Sequence, residues 1–345
     1  MKNAMKNIYA VVSVMIILAF ILCSCEKVIR FKGENLENAE GINLTALVSN
    51  DTNLRISVSK AYVFSDIPPI YWEDFYHYQK TGPDSFYMKV AVLPDAELKL
   101  SVNDRNYEMR YDPENYCFTS DYRPVAGDRI NVQAKAKGLK DVSAEAVIPN
   151  PQKIEIVKYE KFYDKKVIYT SDEELTDMDG KDTIVRITLR ISDPKNEHNY
   201  YRLKVRSLAY DSQYIEYFDA TWEYDRVTDI FTSSDVIFKD PRLVESYGGW
   251  GAYFSNVFDD SMFNGKEYEF DVETRMRYGD NPRVVIELQS ITYDFYQYLR
   301  SLMLYRITSQ DSYTEALQIY SNVDNGFGIL GALGTEKHVI NLQSR

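Results

Sequence analysis

Cysteine, histidine and tryptophan are scarce in this 345-residue chain, at three residues each. Two of the cysteines, Cys23 and Cys25, sit together behind an apolar N-terminal run, so Cys117 stands alone in the rest of the chain. A disulfide framework is therefore excluded, and an apolar core must hold the fold. Cys117, between Tyr116 and Phe118, reads as a small buried hydrophobe. His77, His198 and His338 are each isolated, with no second ligand at metal spacing. Neither H-E-x-x-H nor G-x-S-x-G occurs, so the sequence points to no metalloprotease and no serine hydrolase. Positive charge is also short, with 40 Lys and Arg against 52 Asp and Glu. Nucleic-acid binding needs a basic face to displace counterions from phosphates, and here the basic residues are scattered through an acidic chain. Nucleic acid is not an expected partner.

Long hydrophobic runs are missing too, with one exception. Ile8 to Leu22 is an unbroken apolar run of 15 residues apart from Tyr9 and Ser13, preceded by Lys2 and Lys6. It is shorter than the roughly 20 residues a spanning helix needs, and it has the cationic start and apolar centre of an export signal. The run ends in Leu22-Cys23-Ser24-Cys25, a lipobox: leucine three positions before the cysteine and a small residue just before it. The Cys25 thiol is the expected lipid attachment site, with residues 1–24 removed as signal peptide. Acyl chains contribute about 0.8 kcal/mol per buried methylene, so two or more hold a protein stably on a membrane. Loss of Lys2 and Lys6 leaves 38 basic against 52 acidic residues, a net charge of −14 over 321 residues.

What is abundant is tyrosine, at 29 residues, and tyrosine suits the pleated, half-buried surface of a sheet. Residues 25–41 read as a polar tether. Beyond it, Ile42, Leu44, Ala46 and Val48 alternate with less apolar residues, and after a turn at Asn50–Asn53 so do Leu54, Ile56 and Val58. Two such runs joined by a polar turn predict a hairpin. Further strands are expected at 87–92, 97–102, 106–111, 128–135 and 143–148, a spacing that predicts an immunoglobulin-like β-sandwich over 42–150. Pro149-Asn150-Pro151 then marks a boundary. Residues 151–345 form a second β-rich domain, with strands at 153–159, 183–192, 200–210, 215–224, 268–277 and 284–291. Phe295, Tyr298, Leu299 and Leu302 have helical spacing, which predicts one short helix near 293–305 capped by Thr292 or Asp294. From Thr314 onward the chain alternates weakly and is rich in glycine. The fold class is all-β.

Motifs that carry chemistry are few. Gly326-Phe327-Gly328-Ile329-Leu330-Gly331 matches G-x-G-x-x-G, but the surroundings lack the βαβ unit of a dinucleotide site, and only 14 residues follow. These glycines are read as serving positive φ or close backbone approach in a tight turn, and no cofactor is expected. The acidic stretch Ser171–Asp182 lacks EF-hand spacing, since Leu175 and Arg186 stand where ligands would be needed. It is read as a solvated loop, and irregular calcium binding stays open. No pair of carboxylates stands out as catalytic. The candidate ligand contacts are aromatic: Tyr71, Trp72 and Tyr76 in one segment, and Tyr247, Trp250 and Tyr253 in another. Aromatic groups rimmed by polar residues mark binding surfaces, while the plainer reading has them covering the core.

Several segments together carry a resemblance. They are Cys25-Glu26-Lys27-Val28-Ile29, Ser143-Ala144-Glu145-Ala146-Val147-Ile148-Pro149, the Tyr/Leu helix, and Ile319-Tyr320-Ser321-Asn322-Val323-Asp324-Asn325-Gly326-Phe327-Gly328-Ile329. In this order they resemble a family of Bacteroidota lipoproteins known only as a domain of unknown function. The resemblance implies an outer-membrane lipoprotein, lipid-anchored and open to the cell surface, often encoded beside a TonB-dependent receptor. It implies no catalytic residues. The expected role is non-enzymatic: binding a small ligand, glycan or peptide as accessory to such a receptor. The alternative is a surface hydrolase acting on glycan or peptide.

Overall fold

The structure is a computed structural model, and it describes residues 40–61, 91–164, 169–170, 173–174, 182–210, 231–239, 255–276, 280–308 and 318–342. The first strands follow the alternation of the sequence. In β1 (Gly41–Ser49), Ile42, Leu44, Ala46 and Val48 are buried, and β2 (Arg55–Ala61) pairs with it antiparallel, Leu44 opposite Val58. Next come β3 (Glu97–Val102), β4 (Arg105–Tyr107), β5 (Arg110–Asp112), β6 (Cys117–Thr119), β7 (Arg129–Lys135) and β8 (Val142–Val147). Asn103 and Asp104 turn the β3–β4 hairpin with φ of 49° and 65°. A type I′ two-residue turn needs positive φ at both positions, and after glycine Asn and Asp tolerate it best.

Strands β1, β2, β6 and β5 lie side by side in one sheet, and β4, β3, β7 and β8 form another. That is the immunoglobulin-like strand order. Leu44, Ile56, Leu100, Ile130, Val132 and Ile148 interdigitate between the sheets. At the corner between β6 and β7, the buried Asp128 carboxylate accepts from the Tyr122 hydroxyl at 2.6 Å, Asn103 Nδ2 at 2.7 Å and the Val125 amide at 2.8 Å. Burial opposes its charge, but these three donors hold its carboxyl below the usual range. Cys117 is buried in β6, and burial pushes its thiol up.

The rest of the chain builds β9 (Ile154–Asp164), β10 (Tyr169–Thr170), β11 (Glu173–Glu174), β12 (Asp182–Ser192), β13 (Tyr200–Tyr210) and β14 (Phe231–Thr232). A 3-10 turn at Val236–Phe238 is followed by β15 (Val257–Asp259), β16 (Glu267–Arg275), β17 (Asp280–Ile291), helix α1 (Tyr293–Thr308) and β18 (Phe327–Asn341). The sheet β14-β16-β12-β9 faces β15-β13-β17-β18 across a second core that includes Ile187, Leu189, Leu203, Phe238, Phe270 and Ile286. On the outer face of the first of these sheets the register aligns two Glu-Arg-Glu rows. Arg186 lies between Glu160 and Glu273, and Arg190 between Glu155 and Glu269. Exposed pairs of this kind add little stability each and instead set register.

The 15-residue β18 joins the two sandwiches. Residues 327–333 run parallel to β1, and residues 333–341 run antiparallel to β17, so Leu333 faces both Ser49 and Ile291. There are two cores, but the first takes Val323, Leu330 and Ala332 from beyond Pro149-Asn150-Pro151, and one eight-stranded sheet runs through both sandwiches. Gly326 lies in the turn before this strand, its amide donating to the Val323 carbonyl, while Gly328, Gly331 and Gly334 act within the strand itself. A Cβ on Gly328, whose φ is +100°, would lie 2.2 Å from the Leu44 carbonyl oxygen. One on Gly331 would meet the Phe295 ring at 2.8 Å, and one on Gly334 the Pro149 carbonyl at 2.3 Å. Thr292 caps α1, accepting the Phe295 amide on Oγ1 and the Tyr296 amide on its carbonyl. The helix then buries Phe295 and Tyr296 against Val257, Ile291, Ile329 and Leu333, across the seam of the sheet.

Candidate functional site

Cys25, the tether, and all six aromatic candidates, Tyr71, Trp72, Tyr76, Tyr247, Trp250 and Tyr253, lie outside the described residues. So does the expected strand at 215–224. Of the acidic stretch, Glu173–Glu174 pairs with Tyr169–Thr170 as a short hairpin, and residues 171–172 and 175–181 lie outside the description.

A cluster of chemical groups stands at one end of the second sandwich, where the 193–199 loop after β12 meets the 260–266 loop after β15. The loops are bound together by polar contacts. The Asn199 amide donates to Asp260 Oδ2 at 2.8 Å, and the Asp260 amide donates to the Asn199 carbonyl at 3.1 Å. Asn264 Nδ2 donates to the Glu197 carbonyl at 2.5 Å and to Asp260 Oδ2 at 3.1 Å. The Gly265 amide and the Tyr201 hydroxyl both donate to Asp193, at 2.7 and 2.5 Å. Burial, and then this bond, push the Tyr201 hydroxyl far above its usual range. Both loops are thereby fixed in place.

The register of β13 on β15 sets Tyr200 opposite Asp259, which brings His198 to Asp259 and Asp260. His198 Nδ1 lies 2.5 Å from Asp260 Oδ1. Asp260 is fully buried and His198 half exposed. One ligand-type atom from each of the three side chains lies within 4.8 Å of the others. Asp259 Oδ1 accepts the Ser261 amide at 3.0 Å, and its Oδ2 accepts the Tyr296 hydroxyl at 3.3 Å. Around them Tyr200 packs against the His198 ring at 4.8 Å, Tyr296 at 4.7 Å and Tyr293 at 5.3 Å. Arg300 donates to the Tyr296 hydroxyl at 2.7 Å and covers its ring. Burial, and then Tyr293, Asp259 and Asp260, push the Tyr200 hydroxyl up to about 12. Tyr200 is therefore neutral at physiological pH, available to donate a hydrogen bond.

None of these residues stands out in the sequence as a site. His198 has no ligand near it in the chain, because its carboxylates come from a strand about 60 residues on. Only the β13–β15 pairing brings them together. A second charged group lies on the outer face of β13, β17 and β18, where Glu287 meets Arg206 at 2.7 Å, Lys337 at 3.3 Å and Lys204 at 3.9 Å. Burial opposes the Glu287 charge, and the three cations overcome it, holding the carboxyl below its usual range. This is a satisfied ion network that ties three strands.

Residues 29–338 match the model of a family described as a domain of unknown function, DUF4249. The chain belongs to this family. The match spans both sandwiches and α1, so the DUF4249 unit is the whole two-sandwich body rather than either half. No curated protein and no solved structure gives a significant match to it.

Proposed function

We propose that this DUF4249 protein is a lipid-anchored component of the bacterial cell envelope that serves an outer-membrane TonB-dependent uptake system without catalysis of its own. The observation that carries the reading is the N-terminal pattern: Lys2 and Lys6, an apolar run, then Leu22-Cys23-Ser24-Cys25. An acylated Cys25 at the head of a polar tether holds the folded body at the outer membrane. The body supports a binding role, for two fused β-sandwiches form a rigid scaffold on which loops present side chains. Tyr200 at the start of β13 and the exposed Tyr293 at the start of α1 offer area and hydrogen bonds at low entropic cost. A small ligand, glycan or peptide held there would be passed to a receptor. The uptake role itself follows the family resemblance. Two measurements test the reading. Mass spectrometry of the purified protein should find Cys25 diacylated and N-terminal, and mild-detergent extraction from its native membrane should recover it with a β-barrel receptor. A bare Cys25 thiol with residues 1–24 attached removes the anchor, and recovery alone in several detergents removes the receptor.

A further inference from the structure

We propose that His198, Asp259 and Asp260 form a binding site for one divalent transition-metal ion. Two observations lead there independently. The first is the donor set: an imidazole nitrogen and two carboxylates converge within 4.8 Å of one another, from two loops that interlocking hydrogen bonds hold still. Around a tetrahedral ion with bonds of about 2.1 Å, ligand atoms sit roughly 3.4 Å apart, within reach of small rotations of the half-exposed His198 and of Asp259.

The second is the state of Asp260. Its carboxylate is fully buried, and Oδ2 is satisfied by Asn199 and Asn264, but Oδ1 receives no hydrogen bond. His198 Nδ1 is 2.5 Å away without making a directed bond to it. A buried carboxylate oxygen whose close imidazole neighbour is out of line for a hydrogen bond costs free energy, and a metal ion held by Oδ1 and Nδ1 together would remove that cost. The bonds to Oδ2 are the outer contacts that orient a ligating carboxylate, and the Ser261 amide and Tyr296 hydroxyl do the same for Asp259. One imidazole with two carboxylates suits zinc or manganese better than calcium, which prefers oxygen alone. His198 is half exposed, so the coordination sphere is open to solvent on that side. A ligand arriving beside Tyr200 and Tyr293 would reach the ion there. The ion would bind whether or not the chain meets a receptor.

The test uses the full chain in detergent, stripped of metal with a chelator and titrated separately with zinc, manganese and calcium chloride. One zinc or manganese ion per chain is expected, bound at micromolar Kd or tighter, with H198A and D259N each weakening it by at least about tenfold. The ion should raise the melting temperature of the unaltered chain and leave that of H198A unmoved. Cobalt should give the visible absorption of a nitrogen–oxygen site, lost in H198A. H198A is the decisive variant, because His198 is half exposed and its loss should leave the fold in place, whereas Asp260 is buried and its carboxylate also helps to join the loops. No saturable zinc or manganese binding, binding of calcium alone, or affinity unchanged in H198A and D259N would overturn the site.

Discussion

Single residues carry the tightest constraints in this fold, and two of them give measurable outcomes. Gly328 sits at φ +100° with the Leu44 carbonyl where a Cβ would be. Gly328→Ala must move β18 away from β1, at a cost of about 2 kcal/mol or more; urea melts should show the midpoint fall with an unchanged slope. Asp128 gives a pH signature. Its folded carboxyl is held below the ordinary value near 4, so its contribution is complete at neutral pH and is lost as pH falls below about 4 through the folded value. Asp128→Asn should cost about 1–3 kcal/mol at pH 7, since the amide cannot accept on both atoms. The gap from the unaltered protein should narrow in melts taken below about pH 4. A gap that stays constant with pH would mean that the carboxylate charge is irrelevant there.

Among the elements, α1 and β18 matter most, and they differ in how plainly the sequence shows them. The helix is legible because Phe295, Tyr298, Leu299 and Leu302 recur at helical spacing behind Thr292, which caps it in the structure. The longest strand, β18, is not. Gly328, Gly331 and Gly334 dilute its apolar alternation, and they are needed because carbonyls and an aromatic ring press on the strand at these three positions. A strand packed that closely gives up side chains, and with them the pattern by which strands are read. The seam above it depends on Phe295, which fills the space that the absent Gly331 side chain leaves. Phe295→Ala should cost about 3 kcal/mol. Hydrogen exchange should show faster exchange along residues 293–308 while β12 and β16 keep their protection, because those strands belong to the other sheet.

At the level of the whole molecule, β18 makes each sandwich depend on the last strand of the chain. Leu330 and Ala332 complete the first core, while Ile340 and Leu342 complete the second. A chain ended after Gly326 should therefore lose amide protection in β1 and β17 together. If exchange quickens in one and not the other, the halves are independent. In this acidic chain the buried Glu287 is neutralised by three cations drawn from two neighbouring strands. No helix among the described residues is long and apolar enough to cross a membrane.

From the order of amino acids alone came the all-β class, the hairpin of β1 and β2, the immunoglobulin-like first half and the helix with its cap. All of these rest on neighbours within a few residues, where alternation, helical spacing and turn chemistry are local facts. The tertiary structure decided the strand shared between sandwiches and the meeting of His198 with Asp259 and Asp260. Both depend on pairings between strands far apart in the chain, β1 with β18 and β13 with β15. Such pairings are set by the burial of whole faces, to which many residues contribute a little and no short motif contributes much.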